Sequence, residues 1–139
     1  MLVSVGGGGL IGGIAAWFEG RCRVEALEPV GSPTLHAARA AGEPVDVAVA
    51  GLAADALGAR RIGHIAWPIC QRFVAASHLL PDAAILEAQR LLWTELRLAV
   101  EPAAALPLAA LRSGAVRPAP QERVALVLCG ANFDPATLG

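Results

Sequence analysis

The chain has 139 residues, with 11 basic and 12 acidic side chains and a formal net charge of −1. This length predicts one domain with a buried core, and the near-neutral charge argues against partners such as nucleic acid or an anionic membrane. All of the basic residues are arginine, so this chain by itself cannot carry out chemistry that needs a lysine Schiff base.

Strand and helix patterns alternate along the sequence, beginning with an apolar strand over 2–5 and a helix over 10–18. Further strands are predicted over 23–27, 45–49 and 124–128, and further helices over 32–42, 65–74, 82–99 and 102–111. The alternation predicts an α/β fold with a mainly parallel sheet flanked by helices.

Local patterns make some of these elements specific. Ser32 and Asp82 are expected to cap their helices, and Val45–Val49 is β-branched at alternate positions. The continuous apolar run over 124–128 is typical of a parallel strand that is covered on both faces. In the helix that follows Asp82, one apolar face is expected to contain Ile85, Gln89, Leu92, Leu96 and Ala99.

Two observations concern the compartment and the extent of the chain. Three widely spaced cysteines (Cys22, Cys70 and Cys129) fit neither a disulfide framework nor a metal knuckle, which favours a cytoplasmic protein. No membrane span is expected, because the four glycines interrupt the apolar start and no other apolar run is long enough to cross a bilayer. The first strand starts at the first residue, and the last element starts only at Asp134. Since a parallel sheet needs neighbours and helices on both faces, we expect the chain to be part of a larger fold.

Four consecutive glycines, Gly6–Gly9, lie between the first strand and the first helix. Glycines at such a place let successive backbone amides turn towards an anion, and the helix N-terminus adds its positive dipole. A phosphate group is therefore the expected guest, and a turn without a ligand is the alternative. The phosphate could belong to a dinucleotide, with Gly7, Gly9 and Gly12 as the fingerprint and Glu28 on the ribose, or to pyridoxal phosphate.

Six segments in order point to one family. The sequence resembles the C-terminal half of the serine/threonine dehydratases, which are fold-type-II pyridoxal-phosphate enzymes related to the tryptophan synthase β subunit. The segments are VGGGGLIGG at 5–13, ALEP at 26–29, AADALG at 53–58, IAWPI at 65–69, VEPAAALPLAAL at 100–111 and VLCGANFDPATL at 127–138. The resemblance implies that residues 1–139 are part of the large cofactor domain of that fold.

The resemblance also implies roles for individual residues. Gly6, Gly7, Gly8, Gly9 and the backbone of Leu10 match the loop that holds the cofactor phosphate. Cys129 matches the residue that faces the pyridine nitrogen, and Glu101 matches a glutamate near the ring, although Glu101 could instead end a helix and pair with Arg97. Ala56, Ala104 and Ala131 stand where the family commonly has glycine.

A divalent cation is the second group that the resemblance brings up. Glu28 matches a carboxylate that binds such a cation in some family members, next to a backbone carbonyl at Ser32. A further acid of that site is replaced by Thr34. Because magnesium and calcium prefer several oxygen ligands that include carboxylates, we expect no metal at Glu28.

The activity implied by the resemblance is β-elimination of a hydroxy-amino acid to a 2-oxo acid and ammonia. In the family, the lysine and the loop for the substrate carboxylate lie in the N-terminal half, so this chain alone is expected to be inactive; the intact enzymes are expected to be homo-oligomers. Two alternatives stay open from the residues alone. One is a nicotinamide-dependent dehydrogenase domain of the Rossmann type, and the other is a non-catalytic orphan domain.

Overall fold

A three-stranded parallel sheet in the order β1-β2-β3 organises the computed structural model, which describes residues 1–138. The strands β1, β2 and β3 are Leu2–Ser4, Val24–Pro29 and Val74–Leu80. The helices α1 to α5 are Gly9–Phe18, Thr34–Ala41, Ala66–Phe73, Asp82–Leu96 and Pro102–Arg112, and a short 3-10 helix follows at Pro135–Leu138. The predicted α/β class with a parallel sheet is confirmed.

Helices cover both faces of this sheet, because neighbouring strand residues point to opposite sides. On one face, α1, α2 and α3 pack against Val3 and Ala26. On the other face, α4 and α5 pack against Leu2, Leu27 and Leu80. All strands run in the same direction, so their carboxyl ends meet at one edge, where the loops that follow β1 and β2 start.

The segment over 124–128 is only partly the strand that its sequence predicts. It lies parallel to β1 through a bridge between Leu2 and Leu126, with a hydrogen bond of 2.9 Å from the Leu2 amide to the Ala125 carbonyl. It forms no regular strand, and Leu128 is 38% exposed instead of covered on both faces. Its apolar residues therefore have a neighbour on the β1 side and little cover elsewhere within the described residues.

The sequence misplaced the third strand. Val45–Val49 has no regular structure in spite of its β-branched residues, and Val47 is tied only to a loop, through a hydrogen bond from its amide to the Arg60 carbonyl. The place beside β2 is taken by β3, which the sequence pattern did not indicate. Ser77 and His78 interrupt the apolar pattern by which a strand is recognised in the sequence. Their polar side chains contact glutamates of β2.

The predicted caps of α2 and α4 are wrong. Ser32 Oγ donates to the Leu57 carbonyl at 2.9 Å, and the amides at the start of α2 bind the Glu28 carboxylate instead. Asp82 is the first residue of α4, and its carboxylate accepts the amide of Leu52 at 2.8 Å. Since α4 ends at Leu96, which is 61% exposed, the buried face of the helix stops before Leu96 and Ala99.

No helix within residues 1–138 combines the length and the apolar composition that a bilayer crossing requires.

Candidate functional site

The glycine loop is shaped by two close approaches. Gly8 adopts a φ of 87°, and a Cβ atom there would lie 2.3 Å from Ile62 Cδ1 and 2.8 Å from Ala66 Cβ. A Cβ atom on Gly6 would lie 3.3 Å from the Cα atom of Leu57. Gly7 and Gly9 have no such contact within this chain, so the fold itself does not require glycine at these two positions.

Three carbonyls of this loop are held by donors from elsewhere in the chain. The Gly6 carbonyl accepts Thr34 Oγ1 at 2.6 Å. The carbonyls of Gly7 and Gly8 accept backbone amides at 2.9 and 2.8 Å, from Gly63 and Gly12 respectively. In a planar trans peptide the N–H points away from the C=O, so the amides of the next residues face the opposite direction.

The amides of this loop are left without protein partners. Within the described chain, residues 7–11 donate no backbone amide to a backbone or side-chain acceptor. The last of them belong to the first turn of α1, where the helix dipole is positive and the amides have no partner within the helix. This is the arrangement that the sequence predicted for binding an anion, and we call residues 6–11 the amide cup.

The amide cup opens into a cleft of about 250 Å³ at the carboxyl edge of the sheet. All of the residues that the sequence singled out for the cofactor line this one cleft, namely Gly6, Gly7, Gly8, Gly9, Leu10, Glu101 and Cys129. They come from three separate parts of the chain, which the parallel sheet brings to the same edge. Ser4, Ile11, Ala56, Leu57 and Ala103 complete the lining.

Glu101 is fixed at the start of α5. Its backbone amide donates to the Gly130 carbonyl at 3.1 Å, and its Oε2 accepts the Asn132 amide at 3.3 Å. A Cβ atom on Gly130 would meet the Glu101 carboxylate, so a side chain there would displace this carboxylate from its present place. The alternative of a pair with Arg97 is wrong, because Arg97 Nη1 lies against the Trp93 carbonyl and ends α4.

Cys129 presents a neutral thiol to the cleft. Desolvation raises the pKa of this thiol, and the negative charge of Glu101 adds to the effect, while a hydrogen bond with Ser4 opposes it. Ser4 is a site residue that the sequence did not reveal. Its Oγ donates at 2.6 Å to the Ala103 carbonyl, which lacks its usual helical donor because the residue four positions later is Pro107.

Glu28 lies away from the cleft and is 0% exposed. One of its oxygens accepts the Leu35 amide at 2.7 Å, and the other accepts the His36 amide at 2.9 Å and Ser77 Oγ at 3.0 Å. Desolvation by burial outweighs these hydrogen bonds and raises the pKa of Glu28. A carboxylate in this position cannot reach a ribose, so the dinucleotide interpretation of Glu28 is wrong.

Around Glu28 the structure shows hydrogen-bond donors in place of further acidic ligands. Within residues 1–138 no group of three histidine, cysteine, aspartate or glutamate side chains is placed to hold a metal ion. Thr34, which replaces the further acid, donates to the Gly6 carbonyl and lies 3.3 Å from Glu28 Oε1. Glu28 is surrounded by N–H and O–H groups that donate hydrogen bonds to it, whereas a divalent cation is bound by the lone pairs of several oxygen atoms, carboxylates among them.

The three alanines at glycine positions have different surroundings. Ala56 lines the cleft and is exposed, whereas Ala104 is buried in the core between α4, α5 and the sheet. Ala131 is exposed and does not line the cleft. Only the methyl group of Ala56 therefore narrows the cleft.

The three cysteines should differ in reactivity. Cys70 is buried, and desolvation raises the pKa of its thiol to about 11, while Cys22 and Cys129 are partly or fully accessible. In a titration of native protein with a disulfide reagent, we expect Cys22 to react first, Cys129 more slowly because its raised pKa leaves less thiolate, and Cys70 only after denaturation. Fast reaction of Cys70, detected by mass spectrometry of the labelled peptide, would contradict the packing of α3 against the sheet.

Comparisons with known proteins identify the family of the chain. Residues 1–130 match the family model "Pyridoxal-phosphate dependent enzyme". A phenylserine dehydratase from Ralstonia pickettii is 34% identical over 99% of this chain, and a biosynthetic L-threonine dehydratase from Escherichia coli K12 is 35% identical over 96%. The chain spans only 43% and 27% of the length of these two relatives.

Solved structures give the same result for the fold. The crystal structure of a threonine deaminase from T.th. superposes with a TM-score of 0.86 and 34% identity, over 96% of this chain and 48% of that one. Maize serine racemase superposes with a TM-score of 0.84 and 29% identity, over 99% and 44% of the two chains. The chain therefore belongs to the family of pyridoxal-phosphate-dependent enzymes.

Proposed function

We propose that this chain holds the phosphate end of pyridoxal phosphate in a dehydratase that converts a hydroxy-amino acid into a 2-oxo acid and ammonia. The observation that carries the proposal is the amide cup, whose backbone N–H groups have no acceptor within the described chain and whose residues line one cleft together with Cys129 and Glu101. The relatives named as threonine and phenylserine dehydratases support the reaction class.

The residues of the cleft fit this cofactor. Gly7 and Gly9 make no close approach that would require glycine for the fold, and both line the cleft, where glycine leaves the backbone amides uncovered by a side chain. A phosphate in the cup would accept N–H groups at the positive end of α1. When bound, pyridoxal phosphate supplies an electron sink for the bonds at the α-carbon of an amino acid.

Cys129 and Glu101 have distinct roles in this proposal. Cys129 faces the pyridine nitrogen, and its protonated thiol is too weak an acid to protonate that nitrogen strongly. A sink of this strength favours elimination over transamination. Glu101 fixes residues 130–132 through its backbone and carboxylate, and thereby holds Cys129 at the cleft.

The remaining parts of the activity lie outside these residues. The chain contains no lysine, so the amine that binds the cofactor and moves the α-proton has to come from another segment. We propose that this segment is an N-terminal half that also carries the loop for the substrate carboxylate. The intact enzyme is then a cytoplasmic homo-oligomer, and the present chain is its large-domain portion.

The proposal predicts that binding depends on the phosphate. We expect the chain to bind pyridoxal phosphate on the order of 100-fold more tightly than pyridoxal, since several amide hydrogen bonds to an anion are lost without the phosphate. Inorganic phosphate should compete, as measured by isothermal titration calorimetry. With threonine added, no 2-oxobutanoate should form, because no lysine is present.

A matched pair of variants tests the position of the cup. In Gly9→Val the new Cβ atom meets no protein atom within 4 Å, and the larger side chain stands on a residue that lines the cleft, so the fold should persist and phosphate binding should be lost. Gly13→Val adds the same side chain to the same helix at a residue that lines a second cavity beside Gly7–Gly9 but not this cleft, and it should bind normally. Equal affinity of the chain for pyridoxal phosphate and pyridoxal, or normal phosphate binding by Gly9→Val, would overturn the proposal.

A further inference from the structure

Thr34 connects a buried carboxyl group to the amide cup. Its Oγ1 lies 2.6 Å from the Gly6 carbonyl and 3.3 Å from Glu28 Oε1, and both Thr34 and Glu28 are fully buried. The hydroxyl has one proton, and the shorter distance assigns that proton to Gly6. The Thr34 oxygen is thereby left facing the Glu28 carboxyl group.

The bond to Gly6 determines the direction of one amide in the cup. The Gly6 carbonyl and the Gly7 amide belong to the same planar peptide, so a donor that holds the carbonyl also orients the N–H on the other side. The peptides that follow Gly7 and Gly8 are held by the backbone amides of Gly63 and Gly12, without a side-chain donor. Only the first of the three carbonyls depends on a side chain, that of Thr34.

Thr34 itself is held in place where β2, α2 and β3 meet. Glu28 at the end of β2 accepts two amides from the start of α2 and the hydroxyl of Ser77 from β3. Together with the Thr34 hydroxyl, these groups surround one carboxyl group and fix the first turn of α2, where Thr34 is the first residue. From the preceding loop, Ser32 ties the carbonyl of Leu57, which packs against Gly6.

We propose that Thr34 is a positioning residue for the amide cup, which it orients through hydrogen bonds alone, so that phosphate binding by this chain does not depend on a divalent cation. The proposal rests on the proposed function for the ligand, but the tether to Gly6 stands on its own geometry. In this proposal the Glu28 carboxyl group has a structural role, because it accepts the hydrogen bonds that fix the first turn of α2 and thereby position Thr34. Thr34 stands where the resemblance expects a further acidic ligand of a cation.

The test compares Thr34→Val, which keeps the shape and removes the hydroxyl, with the conservative Thr34→Ser. We expect Thr34→Val to bind pyridoxal phosphate about tenfold more weakly, the loss of one hydrogen-bond constraint, and to shift the Gly7 amide resonance in a ¹⁵N-correlation spectrum. Thr34→Ser should restore both to within about twofold of wild type. Thr94→Val serves as the control, because Thr94 is exposed and bonds only within α4.

Cations provide a second measurement. Addition of Mg²⁺, Ca²⁺ or EDTA should change neither the affinity nor the melting temperature of the wild type, and a rise in either with a cation would overturn the proposal. An unchanged Gly7 resonance in a folded Thr34→Val would overturn it as well. If the wild type binds neither pyridoxal phosphate nor phosphate, the proposed function fails. The Gly7 resonance of Thr34→Val then still tests whether Thr34 orients the Gly7 amide, and the melting temperatures still test for an effect of cations.

Discussion

Replacing Gly8 by alanine is expected to lower the free energy of unfolding by about 2–4 kcal/mol and to abolish phosphate binding. The φ of 87° costs a residue with a Cβ atom about 1–2 kcal/mol, since that atom meets the neighbouring carbonyl oxygen. The methyl group would also lie 2.8 Å from Ala66 Cβ and meet Cδ1 of the buried Ile62, so these neighbours have to shift. Urea denaturation followed by circular dichroism measures the loss.

The matched control for this variant is Gly13→Ala in α1. Gly13 is exposed and a Cβ atom there meets nothing within 4 Å, so alanine should stabilise the helix by up to about 1 kcal/mol. The two variants make the same chemical change in and beside one helix and should move the urea midpoint in opposite directions. An unfolding midpoint of Gly8→Ala equal to that of the wild type would show that the loop leaves room for a side chain at this position.

Local patterns predicted the fold where the necessary information is local. The apolar residues before the four glycines and the helical spacing after them fixed β1 and α1 closely. The same is true of α5, for which Pro102 marks the first turn. The position of the cup follows from this local order, since a glycine run between a strand and a helix lies at the carboxyl edge of a parallel sheet.

The strand β3 shows what local patterns leave out. Ser77 and His78 are polar because partners on β2 require them: Ser77 Oγ binds Glu28, and His78 Nε2 lies 2.7 Å from Glu25 Oε2. These partners are about 50 positions away in the sequence, so no window around β3 contains the reason for its composition. Val45–Val49 has the better strand propensity but no sheet neighbour, and tertiary context overrides propensity.

The residues of the candidate site likewise fall into two groups, those that the sequence indicated and those that only the fold reveals. The glycines, Cys129 and Glu101 were indicated through segments that resemble a family, and the structure places them around one cleft. Ser4 and Thr34 were not assigned to the cleft, because each acts through a distant carbonyl. A serine or threonine hydroxyl has no sequence signature for such a contact, and only the fold reveals its acceptor.

Replacing Glu28 by alanine is expected to cost about 3–5 kcal/mol of unfolding free energy, a larger loss than that of Gly8→Ala. The variant leaves the amides of Leu35 and His36 without their acceptor at the start of α2, and it also frees the hydroxyl of Ser77 in a partly buried place. Urea denaturation at neutral pH measures the loss. Glu95→Ala, an exposed position on α4, should stay within about 0.5 kcal/mol of the wild type.

The pH dependence separates the charge of Glu28 from its hydrogen bonds. Because burial raises the pKa of Glu28 above its ordinary 4.5, the native state binds this proton more tightly than the unfolded chain. The free energy of unfolding should then fall as the pH rises from 4.5 through the native pKa, and Glu28→Gln should remove that fall.

Glu25 provides the opposite case within the same strand. Burial alone would raise the pKa of Glu25, but hydrogen bonds and charges from Arg23 and His78 lower it below 4.5, so its contribution is lost as the pH falls through the native value. Glu25→Gln should therefore flatten the acid side of the stability profile, and Glu28→Gln the side above 4.5. If both variants flattened the same side, the two carboxyl groups would share one environment, and Glu28 would not be the buried anchor of Thr34.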